Sequence, residues 1–313
     1  MEDIWTILKV LQWTTDYFRR KGLEQPRSDA EVLLAHALGV RRVDLYLRYD
    51  QPLRPDELAR YRALIQRRAA REPTQYITGR QEFWSLELEV NPSVLIPRPE
   101  TERLVELALE AFGTDPIRVL DVGTGSGAIA IALAVERPQW IITACDISWD
   151  AVQTARKNAE RHGVAHRIAF AVSHLTTAFR PTPAPFHLIC TNPPYVGDAQ
   201  WDGLAPEVRS HEPEHALRGG GPNGTVLPRK FLQQAFPLLR PGGVLLMEFG
   251  IGQEQVLART AQAIPGVHMV AVVHDYAHKP RVLRVTKSHG GMASPQKAPP
   301  SSARAAPSPS ITS

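Results

Sequence analysis

A chain of 313 residues exceeds one small core and suits about two domains, while 43% hydrophobic and 22% charged residues are ordinary for a soluble globular protein. The only two cysteines, Cys145 and Cys190, lie in apolar runs, which excludes a disulfide framework or a Cys-based metal site; no run approaches the ~20 apolar residues that span a bilayer. The net charge is +4, and residues 1–80 hold 13 Arg and 2 Lys against 11 Asp and Glu, alternating in sign as on a solvated helical surface. That excess also suits an acidic partner or RNA, so charge alone decides nothing. The acidic start Met1-Glu2-Asp3 has no basic n-region, so it is not a secretory signal, and a cytoplasmic protein is expected.

Residues 4–72 read as helices only. Ser28-Asp29-Ala30-Glu31 has the form of a capping box, and Val32, Leu33, Leu34, Ala37 and Leu38 follow as an apolar stripe. Pro55 opens a second amphipathic run that ends near Pro73. Residues 1–74 are expected to form a small helical docking domain. From Phe83 to Val90 the sequence alternates at period two, as a hairpin strand would before a turn at Asn91-Pro92, so 75–97 is taken as a linking β-hairpin.

From 98 to 287 strands and helices alternate. Strands are expected at 117–122, 140–147, 168–172, 187–191, 244–249, 269–273 and 282–285, and helices at 127–136, 149–162, 226–239 and 252–263. The class is therefore α/β, with a mostly parallel seven-stranded sheet covered on both faces and a small N-terminal helical domain. From Ser288 to Ser313 the chain is mainly Pro, Ser, Ala and Gly and is expected to be a disordered tail.

The strand ending at Val122 runs into Gly123-Thr124-Gly125-Ser126-Gly127-Ala128 and then an apolar helix. Glycines allow a sharp turn and close approach of a ligand, and Asp146 at the end of the next strand suits ribose hydroxyls. The run satisfies G-x-G-x-x-[GA], so the loop by itself leaves NAD and S-adenosylmethionine both open.

A later strand ends in Asn192-Pro193-Pro194-Tyr195. Two prolines stop the ladder, and the carboxyl end of a central strand is where ligands bind in such sheets. The Asn192 side-chain oxygen and the Pro193 carbonyl can each accept an N–H from a planar –NH2 group, and Tyr195 can pack on that group. A dinucleotide oxidoreductase needs a proton-relay residue that this corner lacks.

D-x-G-x-G-x-G followed by Asn-Pro-Pro-Tyr resembles the class I amino-methyltransferases. Leu95-Ile96-Pro97-Arg98-Pro99-Glu100-Thr101-Glu102, the stretch from His211 to Leu217 with Gly219, Gly220 and Gly224, and Met247-Glu248-Phe249-Gly250 make the chain to about residue 287 similar to the PrmC/HemK family. The resemblance implies a Rossmann-like, S-adenosylmethionine-dependent methyltransferase domain over 98–287. It implies further that the methyl acceptor would be the side-chain amide nitrogen (N5) of the Gly-Gly-Gln glutamine in peptide-chain release factors, which would support translation termination.

By position, the resemblance implies cofactor contacts from Gly123, Thr124, Gly125, Ser126, Gly127, Asp146, Leu175 and Asn192. Asn192, Pro193, Pro194 and Tyr195 would hold the glutamine, with Asn192, Pro193 and Tyr195 as the catalytic set and no metal. His174 stands where family members usually carry aspartate. Arg98 and Glu100 would either order that side of the pocket or cap the next helix, and 196–223 has the length of a segment that covers the substrate. Neither a stable nucleic-acid partner nor a membrane is expected. Two alternatives stay open at this stage: an N6-adenine methyltransferase gripping adenine with the same motif, and a non-catalytic RNA- or ribosome-binding module.

Overall fold

The computed structural model describes residues 4–289, so the expected tail lies, from residue 290 on, outside the described residues. Helices α1 (Ile7–Arg20), α2 (Pro26–Leu38), α3 (Arg42–Leu47), α4 (Pro55–Ala69) and α5 (Thr74–Thr78) open the chain. Phe18, Leu33, Leu34, Leu45 and Tyr61 are buried together in a core belonging to these helices. Each such side chain contributes about 1.5–3 kcal/mol on burial.

Pro55 begins α4 as expected, but the capping box at Ser28 does not form. α2 starts three residues earlier than that box implies, because Pro26 has the fixed φ and missing N–H that suit a first helical position. Glu31 instead accepts from Arg42 Nη2 at 2.7 Å and from the Tyr46 hydroxyl at 2.5 Å.

The period-two run is two strands rather than one. β1 (Arg80–Phe83) and β2 (Leu86–Glu89) pair antiparallel, and the turn falls at Trp84 and Ser85, with φ of 55° and 57°. Two left-handed residues give the tight turn whose twist matches a hairpin. Lacking Gly or Asn, it leaves no mark in the composition. α5 runs across 74/75, where the sequence suggests a boundary.

There follow α6 (Glu102–Ala111), β3 (Arg118–Val122), α7 (Ala128–Glu136), β4 (Ile141–Asp146), α8 (Trp149–Arg161), β5 (Ile168–Val172), β6 (Phe186–Thr191), α9 (Pro206–His211), α10 (Val226–Ala235), β7 (Leu239–Glu248), α11 (Glu254–Gln262), β8 (Val267–His274) and β9 (Pro280–Lys287). Each of the seven expected strands is present, in the order β5-β4-β3-β6-β7-β9-β8. The first five in that order run parallel, and β9 lies antiparallel between β7 and β8.

One face of the sheet is covered by α6 and α7 and the other by α10 and α11. α7 is apolar all round and buried from Ala128 to Ala134, as a helix pressed between a sheet and neighbouring helices must be. The chain leaves β3 towards β4 and β5, then returns to β6 on the other side of β3. The carboxyl ends of β3 and β6 therefore flank the crevice where such sheets bind ligands. Among the described residues no helix is long and apolar enough to cross a membrane.

Candidate active site

A cavity of about 290 Å³ opens at that switch point. Its floor is set by register: Val122 lies opposite Thr191, whose hydroxyl donates to the Val122 carbonyl at 2.7 Å. The glycine loop and the Asn-Pro-Pro-Tyr corner thus leave adjacent strands side by side.

In the loop, Gly123, Gly125 and Gly127 all have left-handed φ (72°, 54° and 86°). Gly123 N–H and Thr124 N–H donate to the Cys145 carbonyl, Gly125 N–H donates to Asp146 Oδ2 at 3.0 Å, and Gly127 N–H donates to the Thr124 carbonyl. These four N–H groups are therefore engaged within the protein and hold the loop in its turn. Asp146 takes one backbone donor on each oxygen, Gly125 and Ser148, and keeps lone pairs for ligand hydroxyls. Burial raises its carboxyl above the usual range, against backbone donors and the nearby His215.

Asn158 on α8, fully buried, holds the loop from behind. Its amide nitrogen donates to the Ser126 and Glu89 carbonyls, and its oxygen accepts from Glu89 N–H at 2.7 Å. One side chain thus ties the loop to the β-hairpin. Nothing local marks this role, because a lone asparagine on an amphipathic helix reads as surface.

The Asn192 amide nitrogen donates to Thr101 Oγ1 at 3.1 Å, and the Thr101 hydroxyl donates to Glu248 Oε2 at 2.6 Å. The Tyr195 hydroxyl donates to Glu248 Oε1 at 3.2 Å. Glu248 is 1% exposed, and burial pushes its carboxyl up. Burial, with Glu248 adjacent, likewise pushes the Tyr195 phenol up, so it stays a neutral donor. Among the described residues no donor reaches Asn192 Oδ1 or the Pro193 carbonyl. Both remain acceptors at the cavity.

The segment 196–223 is pinned at several points rather than hanging free. Glu207 on α9 accepts from Arg68 and Arg71 of the N-terminal helices at 3.2 Å. The buried Glu212 accepts from Arg98 Nη2 at 2.5 Å and from Ile96 N–H at 3.2 Å. At its base a Cβ on Gly219 or Gly224 would lie 2.0 Å from backbone oxygens, so only glycine fits. Gln253, 5% exposed, donates to the Tyr195 and Asn223 carbonyls at 2.7 Å. His215 and Arg218 of this segment line the cavity.

Residues 9–79 match the PrmC N-terminal domain and 103–230 the methyltransferase small domain. The chain is 46% identical over 256 residues to the release factor glutamine methyltransferase of Geobacter sulfurreducens, covering 82% of this chain and 88% of that protein. It belongs to the release factor glutamine methyltransferase family. The Rhodopirellula baltica protein of the same name is 37% identical over 289 residues, 91% of this chain and 97% of its own. Among solved structures, a methyltransferase from Pyrococcus furiosus aligns over 65% of this chain and 89% of its own, with a TM-score of 0.48 and 20% identity.

Of the residues expected at the site, Gly123, Thr124, Gly125, Ser126, Asp146, Leu175, Asn192, Pro193 and Pro194 line the cavity. Gly127 and Tyr195 do not. A Cβ at Gly127 would meet Ile131 Cδ1 at 2.8 Å and Ala155 Cβ at 3.2 Å, so this glycine serves the packing of α7 on α8. Tyr195 sits behind the lining, its hydroxyl donating to Glu248 and its ring against Gly250. His174 is exposed at the cavity rim. Arg98 lines the cavity and orders the 196–223 segment through Glu212, whereas Glu100 is exposed. Thr101, Asn158, Thr191, Glu212 and Gln253 are the positioning residues that the sequence reading missed.

Proposed function

We propose that the protein transfers the methyl group of S-adenosylmethionine to the side-chain amide nitrogen of the Gly-Gly-Gln glutamine of peptide-chain release factors, in the cytoplasm. The observation that carries this is the pair of unengaged acceptors, Asn192 Oδ1 and the Pro193 carbonyl, on the cavity shared with the glycine loop. Two acceptors at one planar corner match the two N–H groups of a primary amide. The family membership supports the glutamine of a release factor as their occupant. When bound, S-adenosylmethionine supplies an electrophilic sulfonium methyl.

The chain's own residues hold and orient. Asp146 accepts from ribose hydroxyls, and the left-handed glycines keep side chains out of the ligand's way. Asn192 and Pro193 fix the plane of the target amide, whose lone pair is delocalised and weakly nucleophilic. Their acceptance strengthens as that nitrogen gains positive charge, which lowers the barrier selectively. An N-protonated amide is a strong acid, so the proton passes to water without a tuned base. The 1–74 helices serve as the docking unit for the substrate protein, and 98–287 as the methyltransferase unit.

The test supplies labelled methyl donor with an intact release factor, the same factor with its Gly-Gly-Gln glutamine changed to glutamate, and adenine-containing DNA and RNA. Label on the glutamine of the intact factor only is the expected result. Label on adenine, or retained in the Glu variant, overturns the substrate assignment.

A further inference from the structure

Asn192 can act as an acceptor only if its amide keeps one of two nearly equivalent orientations. Oxygen and nitrogen of a primary amide have the same shape, so packing alone does not choose between them; the hydrogen-bond partners do. In this structure the choice is traceable through two further side chains. Glu248 sits at the end of β7, 1% exposed, with one carboxylate oxygen towards Thr101 and the other towards Tyr195. The Thr101 hydroxyl donates its one hydrogen to Glu248 Oε2 at 2.6 Å. With its hydrogen committed, Thr101 Oγ1 can only accept from its other neighbour, and it does so from Asn192 Nδ2 at 3.1 Å. The amide nitrogen is thereby turned to the interior and Oδ1 to the cavity.

Thr101 closes the 3₁₀ turn Pro99–Thr101 that runs straight into α6, with helical φ and ψ of −68° and −20°, and its side chain makes no bond to the helix end. The residue is 4% exposed, and its hydroxyl reaches instead across the sheet end to residues 91 and 147 positions away. We infer that Thr101, its direction fixed by Glu248, is a positioning residue that sets the Asn192 amide with its oxygen towards the substrate. The inference rests on the proposed role of Asn192 as acceptor for the target amide.

The test is a double-mutant cycle in the full-length protein, with release factor as substrate. Thr101→Val keeps the shape of the side chain but removes both ends of the relay. It should lower kcat on the order of 10-fold, the effect of one lost hydrogen bond, with cofactor affinity unchanged. Thr101→Ser restores the hydroxyl and should return kcat to within about threefold of wild type. In an Asn192→Ala background, Thr101→Val should change kcat by less than about twofold, because there is no amide left to orient. Glu248→Gln is a second entry to the relay: a glutamine can still turn its oxygen to Thr101, so its loss should be smaller than that of Thr101→Val. Should Thr101→Val fail to fold, Thr101→Ala takes its place in the cycle.

Equal losses in the two backgrounds, or no loss from Thr101→Val, overturn the inference. Wild-type protein that leaves the glutamine unmethylated sinks the functional reading itself, a distinguishable failure.

Discussion

Asn192 and Asp146 face one cavity, and the proposed function gives them different roles that single substitutions separate. Removing the Asn192 acceptor deletes a contact that tightens as the target nitrogen gains charge. Asn192→Ala should therefore lower kcat on the order of 10²–10³ and leave cofactor affinity nearly intact. Steady-state kinetics beside calorimetry of cofactor binding check both halves; an equal loss in both would make Asn192 a binding residue only. Asp146 accepts from Gly125 and Ser148 N–H and has lone pairs to spare for ribose hydroxyls. Asp146→Ala should weaken S-adenosylmethionine binding by about 1.5–3 kcal/mol, the range for a hydrogen bond to a charged group. Unchanged affinity would remove it from the site. The residue types at both positions were legible from sequence, because each lies at the end of a strand whose partner motif is local. Thr101 was not, since its two partners lie 91 and 147 positions away.

The strand–loop–helix element from β3 to α7 carries a pH-dependent cost of its own. Asp121 on β3 is wholly buried beneath the glycine loop and accepts from the Thr124 hydroxyl at 2.7 Å. Burial pushes its carboxyl up to about 7, whereas an unfolded chain keeps an aspartate near about 3.9. Between those values the folded state binds more protons than the unfolded one, so the slope of stability against pH from this group is negative. Its contribution falls as pH rises from about 4 to about 7 and is level above that, with at most about 4 kcal/mol at stake. Asp121→Asn abolishes the titration. The melting temperature of that variant minus that of wild type should climb with pH from 5 to 7; a difference constant across the range rules this out. The hairpin shows the opposite case for legibility. Its turn at Trp84 and Ser85 uses residues without turn preference, so alternation revealed the strand character but not the fold-back.

Across the whole molecule, the N-terminal helices and the catalytic sheet meet at the segment between β6 and α10. Arg68 is 6% exposed and bridges Asp29 of its own bundle, at 2.8 Å, to Glu207 on α9, which Arg71 also reaches. Glu207→Ala cuts this link while leaving Arg68 its Asp29 partner. It should raise KM for the release factor about 3–10-fold, leave cofactor affinity unchanged, and lower the melting temperature by a few degrees, as a loss of about 1–2 kcal/mol implies. An unaltered KM would mean that the helices do not hold residues 196–223 in place for the substrate. The positive excess over 1–80 thus has an internal use besides any steering of a partner.

What the sequence determined by itself is what short-range pattern encodes. The seven strands and the helices between them follow from runs of apolar residues, and the two ligand corners from glycines and prolines whose backbone demands are local. The loop alone leaves NAD and S-adenosylmethionine both open, and the Asn-Pro-Pro-Tyr corner, which has no proton-relay residue, decides against the oxidoreductase. Tertiary structure decided the rest. It engaged four loop N–H groups with Cys145, Asp146 and Thr124, which fixes the path of the glycine turn. It drew the Tyr195 hydroxyl back to Glu248, and it passed direction from Glu248 through Thr101 to the Asn192 amide. Hydrogen-bond direction depends on which donors and acceptors meet in space, and residues far apart in sequence meet only once the sheet has brought β3, β6 and β7 side by side.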